Sequence, residues 1–431
     1  MASKNLSDSD ARSHAPPWDV LVIGGGLAGL CAAIAARRRG VSVRLVESAP
    51  LALRGGDARH ARNFRAPHEA PTAHTPAAYR ADEFLAELRA VSGAPESALA
   101  RSIVADAAQL PGWLAGCGVR LQDPAAGLIP FSRRTAFLLG GGKAMLNALY
   151  ATAAGDGVEI GYESVAQGLR AGPDGDWLAD FAGGERAARC VVVASGGPGA
   201  NPAWLSTPDL VFRGGAFSDG RMMQALVESL GVRTVGDPAS RHMVAVDARG
   251  PKFDGGIVTR ITAIPHGLVV NRDGAVLSDP SQNAKPTHYA EWGARIAAEP
   301  GGVAWLILDA EGLSRADPIA LAPVRAQNLA ELARALGLNE AALAGASRLR
   351  AAPFFGLPLR AGVTFAHFGL AVDESLRLIG PNGRAMQGLY AAGMIMAANI
   401  LPRGYLAGLG ITLSTFTGRR AGEAAARHVR G

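Results

Sequence analysis

The sequence has little cysteine and no long apolar run. Only three cysteines occur among 431 residues, and no two of them form a C-x-x-C pair. An iron–sulfur cluster, a zinc site and a dithiol centre are therefore not expected, and we predict no bound metal. Cys31, Cys117 and Cys190 are interpreted as small buried residues. No window approaches 18 consecutive apolar residues, which argues against a membrane-spanning helix.

Lysine is also scarce, so the positive charge is carried by arginine. Only four of the 43 basic residues are lysine, and the formal net charge is +6. No basic run is longer than Arg37–Arg39, and aromatic residues are not interleaved with basic ones, so no nucleic-acid partner is predicted. We interpret the excess as a composition bias. The alternative is that some arginines line a site for an anionic substrate.

The N-terminal segment lacks the apolar core of a secretion signal. Residues 1–17 are polar and end in two prolines, Pro16 and Pro17. We therefore expect a disordered tail on a cytoplasmic protein.

A dinucleotide fingerprint follows this tail. A β-branched run from Asp19 ends in the glycines Gly24, Gly26 and Gly29, an alanine-rich helical stretch comes next, and a second apolar strand ends at Glu47. The glycines allow a tight turn whose backbone approaches a pyrophosphate, and an acidic residue about 20 positions later accepts ribose hydroxyls. Because strand, helix, strand and acid occur in register, the segment predicts a bound dinucleotide.

The remaining pattern predicts an α/β protein with two domains. Helical periodicity occurs at 77–91, 96–117, 143–154, 328–349 and 405–428, and short strands are expected at 158–162, 165–170, 177–181, 190–197, 266–274, 370–372 and 388–393. We expect a Rossmann-like domain, with a parallel sheet, helices and a small β-meander, over 18–240 and 353–431. An inserted α+β domain is expected over 241–352.

The distribution of glycine-rich strand ends favours FAD over a nicotinamide cofactor. Besides the fingerprint, such ends occur at Ala194–Gly197 and Ala391–Gly393, far along the chain. An extended FAD needs backbone from several distant segments, and the final helix could direct its N-terminal N–H groups at the flavin. No second complete fingerprint is present, so electrons must be exchanged with another carrier.

Four further segments carry motifs of a known superfamily. Residues 194–201 resemble an A-T-G-G-F-x-x-N segment, and residues 218–222 resemble a G-D-G-x-x-M helix start. Residues 267–271 resemble a G-x-x-V-N strand, and residues 390–393 resemble an A-A-G-E turn. These motifs are similar to those of the fumarate reductase and succinate dehydrogenase flavoproteins, over residues 18–428. The resemblance implies FAD and a capping domain that closes over the flavin.

Other segments look like one branch of that superfamily. Residues 55–63, 137–144, 362–365 and 399–405 are similar to tricarballylate dehydrogenase and to the flavoprotein module of CobZ-type precorrin-3B synthase. This resemblance implies a polycarboxylate substrate and electron transfer to a membrane-associated iron–sulfur/haem protein. Through that partner the protein would be peripheral to the inner membrane.

The resemblance also implies a set of cofactor-binding residues. Asp57 stands nearest the position of the covalent histidine of succinate dehydrogenases, so we predict non-covalent FAD and assign no such role to His60. The predicted cofactor-binding residues are Gly24, Gly26, Ala28, Gly29, Glu47, Gly55, Gly56, Asp57, Gly141, Gly142, Val165, Ala194, Gly196, Gly393, Met394, Gly410 and Ile411.

The substrate side departs more from the family. His242 matches the histidine that holds a substrate carboxylate, but no arginine stands near 286–289, where the family has its proton-transferring arginine. Dehydrogenation beside a carboxylate needs a base and cations. His288 is the first candidate for the base and Tyr405 the second. The candidate carboxylate clamps are Arg260, Arg360 and Arg403.

These residues leave three functional hypotheses open. The first is an FAD-dependent oxidoreductase of the tricarballylate dehydrogenase/CobZ type that oxidises a polycarboxylate and passes electrons to a partner protein. The second is the CobZ-type role in cobalamin biosynthesis, which the absent arginine and the replacement of a family glutamate by Met394 favour. The third is a flavin electron relay without catalysis of its own. The oligomeric state stays open.

Overall fold

The computed structural model describes residues 16–123, 132–204, 211–278, 289–339, 343 and 349–431. The tail predicted for 1–17 lies outside the described residues except for its last two positions, and His288 lies outside them as well. Cys31, Cys117 and Cys190 are buried and unpaired with one another. None of the helices in the described ranges combines the length and apolar character that a membrane span requires.

Strands and helices alternate along the first part of the chain. The strands are β1 (Trp18–Ile23), β2 (Val43–Val46), β3 (Asn63–Arg65), β4 (Thr135–Phe137), β5 (Glu159–Gly161), β6 (Ala166–Ala171), β7 (Trp177–Phe181), β8 (Gly184–Val193), β9 (Val211–Phe212), β10 (Thr234–Asp247), β11 (Leu268–Val270), β12 (Val276–Ser278), β13 (Val303–Leu308), β14 (Val324–Ala326), β15 (Phe354–Leu370), β16 (Arg377–Ile379) and β17 (Ala385–Ala391). The helices are α1 (Leu27–Arg37), α2 (Ala81–Ser92), α3 (Ala98–Ala107), α4 (Leu110–Ala115), α5 (Gly141–Gly155), α6 (Arg221–Leu230), α7 (Tyr289–Ala298), α8 (Ala310–Arg315), α9 (Leu329–Leu336) and α10 (Leu409–Arg430).

The chain divides into two compact units. The first contains Met1–Leu205, Phe217–Ser240 and Ala366–Gly431, and the second contains Ser206–Ala216 and Arg241–Phe365. The expected boundaries differ from this division at 211–216 and 353–365, which group with the second unit. The reason is strand pairing: β9 pairs in parallel with β15 at Gly362 and Val363.

The first unit is built on a mostly parallel sheet. Its strand order is β16-β17-β8-β1-β2-β5, and β6 and β7 form an antiparallel meander with β8. β1 pairs in parallel with β2 and β8, and β17 pairs in parallel with β8. The strands β1 and β8 end in runs of buried aliphatic residues, as expected for a parallel sheet covered on both faces.

The second unit contains a mixed sheet with its own core. The strand order is β10-β15-β13-β11-β12, with β9 and β14 paired to β15. The buried side chains Trp292 and Leu306 belong to one apolar cluster, and Leu332 and Ile307 to another. The predicted fold class, a Rossmann-like α/β domain with an inserted α+β capping domain, is confirmed.

Several predicted elements differ in extent from the observed ones. The helix expected over 96–117 is two helices, α3 and α4, and Pro111 lies in the first turn of the second. Of the helix expected over 328–349, the described part is α9, which ends at Gly337 with a positive φ of 69°. The segment 54–65, for which no helix or strand is predicted, contains a 3-10 turn at Gly56–His60 and strand β3.

The last helix, α10, packs closely against α1. Ten of the eleven residues of α1 are buried. On α10, a β-carbon placed at Gly418 would lie 2.3 Å from the carbonyl oxygen of Ala28, and one at Gly422 would lie 2.1 Å from that of Ala32. No other residue type fits at these two positions, so the two glycines form a close contact between the helices.

We expect the substitution Gly422→Ala to destabilise the protein by about 1–3 kcal/mol, the range typical of overpacked cores. The added methyl group would clash with the carbonyl oxygen of Ala32, which belongs to the backbone of α1 and cannot rotate away. Thermal unfolding measures the effect. The matched control is Gly155→Ala at the end of α5, where the added methyl group meets nothing within 4 Å. Equal unfolding temperatures of the two variants would contradict this packing.

Candidate functional site

A cavity opens in the first unit at the carboxyl ends of the parallel strands. β1, β2, β8 and β17 each end just before residues that line it, which is the usual ligand position in an open α/β sheet. The lining residues lie at 23–28, 46–48, 55–58, 164–166, 194–196, 217–222, 393–394 and 414.

The turn after β1 leaves no space for a side chain. Gly24 has a φ of 107°, and a β-carbon there would lie 2.5 Å from the carbonyl oxygen of Ala194. A β-carbon at Gly29 would lie 1.8 Å from the carbonyl oxygen of Gly24, so α1 begins directly against the turn. The first turn of α1 contains no acidic residue and Gly26 provides no side-chain cap, so its N–H groups are available to an anion such as a pyrophosphate.

Glu47 is held at the end of β2 by its own neighbours. Its carboxylate accepts hydrogen bonds from the N–H groups of Ala49 at 2.9 Å and Gly55 at 3.3 Å. These contacts fix the side chain while leaving lone pairs for two ribose hydroxyls. The hydroxyl of Tyr150 donates to the carbonyl oxygen of Gly25 at 2.7 Å. Burial, and then the charge of Glu47, raise the pKa of Tyr150, which therefore stays a neutral phenol.

The opposite wall is formed by Gly393 and Met394 together with α10. The N–H group of Gly393 donates to Oγ1 of Thr417 at 2.9 Å, and Ser414 lines the cavity one turn earlier. A β-carbon at Gly410 would lie 3.9 Å from Sδ of Met394. The first two turns of α10 therefore run beside this wall.

Most of the predicted cofactor residues are brought together here. The cavity wall includes Gly24, Gly26, Ala28, Glu47, Gly55, Gly56, Asp57, Val165, Ala194, Gly196, Gly393 and Met394. The predicted residues that are not part of the wall are Gly29, Gly141, Gly142, Gly410 and Ile411. Gly142 instead contacts the loop that contains Ala58. Its N–H group donates to the carbonyl oxygen of Ala61, and a β-carbon at Gly142 would lie 1.9 Å from the carbonyl oxygen of Ala58.

The segment 217–222 lines the cavity but was absent from the predicted cofactor residues. Oγ of Ser218 donates to Oδ1 of Asp57 at 3.1 Å, which joins this segment to the loop after β2. Its sequence motif was visible at Ser218–Met222, but nothing local indicated that it approaches Asp57.

A family model for the FAD binding domain matches residues 19–411. The chain belongs to this family. The cavity fits the cofactor, because its glycine turn admits a pyrophosphate and Glu47 is placed for the ribose. The predictions of FAD as cofactor and of an FAD-dependent oxidoreductase are confirmed. No curated protein sequence matches the chain.

Solved structures of flavoenzymes share the fold of this family member. A flavocytochrome c3 fumarate reductase in an open conformation is 19% identical, with a TM-score of 0.80 over 98% of this chain and 81% of the other. A 3-ketosteroid Δ4-(5α)-dehydrogenase from Rhodococcus jostii is 21% identical, with a TM-score of 0.70 over 96% and 98%. A 3-ketosteroid Δ1-dehydrogenase from Sterolibacterium denitrificans is 17% identical, with a TM-score of 0.75 over 96% and 100%.

The predicted catalytic residues are distributed over both units of the FAD-binding chain. In the second unit, His242 is buried on β10, with its ring centroid 5.5 Å from that of Phe365. Arg360 lies on β15 opposite Val303, and Arg260 forms an isolated bridge with Val246; both are partly exposed. His288 is outside the described residues.

In the first unit, Arg403 and Tyr405 share one loop. Arg403 is exposed and its Nε donates to the carbonyl oxygen of Ser92 at 2.9 Å, at the end of α2. This contact gives Arg403 the role of a C-terminal helix cap. Its assignment as a carboxylate clamp stays a prediction, as does the assignment of Tyr405 as a base.

His367 was not predicted and supports the same loop. Its Nε2 donates to the carbonyl oxygen of Gly404 at 2.8 Å, so Nδ1 of the neutral ring accepts from Oγ of Ser240 at 2.9 Å. Burial lowers the pKa of His367, which favours this neutral form. No pattern in the sequence indicated this residue, because its partners lie on other elements.

We expect Glu47→Gln to weaken FAD binding about tenfold. The amide keeps the shape but replaces charge-assisted hydrogen bonds to the ribose, each worth about 1.5–3 kcal/mol, by weaker neutral ones. Titration of the apoprotein with FAD, followed by flavin fluorescence, gives the dissociation constant. Glu159→Gln, an exposed position on β5 of the same sheet, is the control and should leave binding unchanged. Unaltered affinity of the Glu47 variant would refute its assignment to the ribose.

Proposed function

We propose that this FAD-dependent oxidoreductase oxidises a polycarboxylate of the tricarballylate type and passes the electrons to a partner protein. The FAD part rests on one observation: the glycine-walled cavity with Glu47 at its edge lies within the matched residues 19–411. The polycarboxylate part is supported by the motifs at 55–63, 137–144, 362–365 and 399–405 and by the buried His242.

The reaction requires three groups around the substrate. When bound, FAD supplies the two-electron acceptor. The imidazole of His242 is held rigidly by burial and by the ring of Phe365, which suits a donor that orients one carboxylate. Arg260 and Arg360 are proposed to hold further carboxylates, because a planar guanidinium binds a carboxylate through two parallel hydrogen bonds.

The proton acceptor is proposed to be His288 or Tyr405. An imidazole exchanges protons near neutral pH without further adjustment, which favours His288. Tyr405 follows Gly404, whose carbonyl group is held by His367, so its backbone is well fixed. A phenol is a poorer proton acceptor than an imidazole near neutral pH, which places Tyr405 second.

We propose that a partner protein completes the electron path. The described residues contain no group of three or more His, Cys, Asp or Glu side chains able to hold a metal ion, and the sequence contains a single dinucleotide fingerprint. Quinol fumarate reductase of Escherichia coli, 17% identical with a TM-score of 0.65, shares the fold. We propose a membrane-associated iron–sulfur/haem protein as the acceptor, with FAD bound non-covalently.

The side chain of Met394 supports a second candidate function. It lines the cavity at the position where the resembling family has a glutamate, so the wall there is apolar. Because this part of the wall differs from that of the resembling family, it favours a different polycarboxylate. The second candidate substrate is the corrinoid precursor of the CobZ-type reaction. Conversion of precorrin-3A in air, with no reaction on tricarballylate, would decide for this candidate.

We expect tricarballylate, mixed anaerobically with the purified holoprotein, to bleach the flavin absorbance. His242→Ala should lower kcat/KM for bleaching about 10- to 100-fold, since a hydrogen bond to a charged group is worth about 1.5–3 kcal/mol. His266→Ala is the control, because His266 is an exposed histidine of the same unit. If tricarballylate leaves the flavin oxidised in the wild type, this substrate assignment fails. Equal rates of the two variants would remove His242 from the mechanism.

A further inference from the structure

An ionic cluster in the first unit is centred on the buried side chain of Arg65, at the end of β3. The Arg65 side chain is 5% exposed, and its Nη1 donates to the carboxylate of Glu87 and to the hydroxyl of Tyr79. The Tyr79 hydroxyl also donates to Oε2 of Glu87 at 2.8 Å, and Nε of Arg134 lies 2.5 Å from Oε1. Glu87 is therefore bound by two arginines and one phenol.

Removing the charge of Arg65 from water costs free energy, so stability alone does not explain why the cluster is present. Removing an ion pair from water costs several kcal/mol per ion, and apolar residues of equal volume often serve stability as well. The side chain of Arg65 also binds a backbone group outside the cluster. Its Nε donates to the carbonyl oxygen of Ala407 at 3.0 Å, immediately before α10 begins.

The backbone of Arg65 also contacts the start of α10. Oγ1 of Thr412 accepts the N–H group of Arg65 at 3.1 Å and donates to its carbonyl oxygen at 2.5 Å. Gly408, which precedes the helix, has a φ of 82°, and a β-carbon there would lie 2.9 Å from the nitrogen of Arg65. The side chain and both backbone groups of one residue thus fix where α10 starts.

The start of α10 carries a positive partial charge close to the wall of the cofactor cavity. The first N–H groups of a helix have no partner within the helix and together act as roughly half a positive charge. α10 has no acidic residue in its first turn, and its first two turns run beside Gly393 and Met394. A positive helix end near the flavin stabilises the reduced, anionic form relative to the oxidised form.

We propose that Arg65 is a positioning residue that fixes the N-terminus of α10 and thereby raises the reduction potential of the bound FAD. The proposal rests on FAD binding and not on the identity of the substrate. Arg65 acts through α10, with Glu87 and Tyr79 holding its guanidinium in place. A cluster that served only stability would change the unfolding temperature and leave the potential unchanged.

The test compares reduction potentials of bound FAD, measured by equilibrium with a reference dye. The variants are Arg65→Gln, Arg65→Lys and Thr412→Val, with Arg170→Gln as the control. Arg170 pairs with Glu185 on the exposed meander, so its loss removes an arginine ion pair far from the helix start. Thr412→Val keeps the side-chain shape and removes only the hydroxyl that binds Arg65.

We expect Arg65→Gln to weaken the binding of reduced relative to oxidised FAD about tenfold, which for a two-electron couple lowers the potential by about 30 mV. Arg65→Lys and Thr412→Val should lower it in the same direction by less, and Arg170→Gln should not change it. If Arg65→Gln fails to fold, the other two variants decide.

An unchanged potential in folded, FAD-binding Arg65→Lys and Thr412→Val proteins would overturn the proposal. Failure of the wild type to bind FAD would overturn the cofactor assignment and this inference with it. A wild type that binds FAD but is not reduced by tricarballylate would refute the substrate alone.

Discussion

The close approach of backbones around α1 is the constraint on which the first unit depends. One end of this helix lies against the turn at Gly24, and α10 crosses it at Gly418 and Gly422, in each case with no space for a β-carbon. Side chains at these positions would separate α1 from the sheet or α10 from α1. Either shift would widen the cavity, because its walls are formed by the elements that these contacts hold together.

The cavity wall combines glycine turns at the strand ends with charged side chains. Glu47 is predicted to bind the ribose and is held by two backbone N–H groups, and the helix starts supply positive partial charge. Several arginines bind main-chain carbonyl groups, as Arg65 does at Ala407 and Arg403 at Ser92. A guanidinium has five donors in a fixed plane, so it can hold a carbonyl group and a carboxylate at once. The arginine excess thus has a structural use in the loops of the first unit.

The sequence was most informative where one local pattern determines both geometry and chemistry. The segment from Asp19 to Glu47 predicted the strand, the helix and the position of the acidic residue, because each depends on its neighbours in the chain. Contacts between distant residues could not be predicted. The start of the final helix was expected at Tyr405 but lies at Leu409, since Arg65 and the positive φ of Gly408 set it. The contribution of Ser218 to the cavity likewise depends on Asp57, 161 residues away.

The contact between α1 and α10 also limits the order in which the protein can form. α1 is synthesised long before α10, so the apolar face of α1 that α10 covers stays open until α10 has been made. β17, which completes the pairing of β8, also arrives late. The second unit, whose strands β11 and β13 pair over a short stretch of chain, can assemble earlier. The inserted unit is therefore expected to fold before the unit that surrounds it in sequence, and the cavity can form only once α10 has been made.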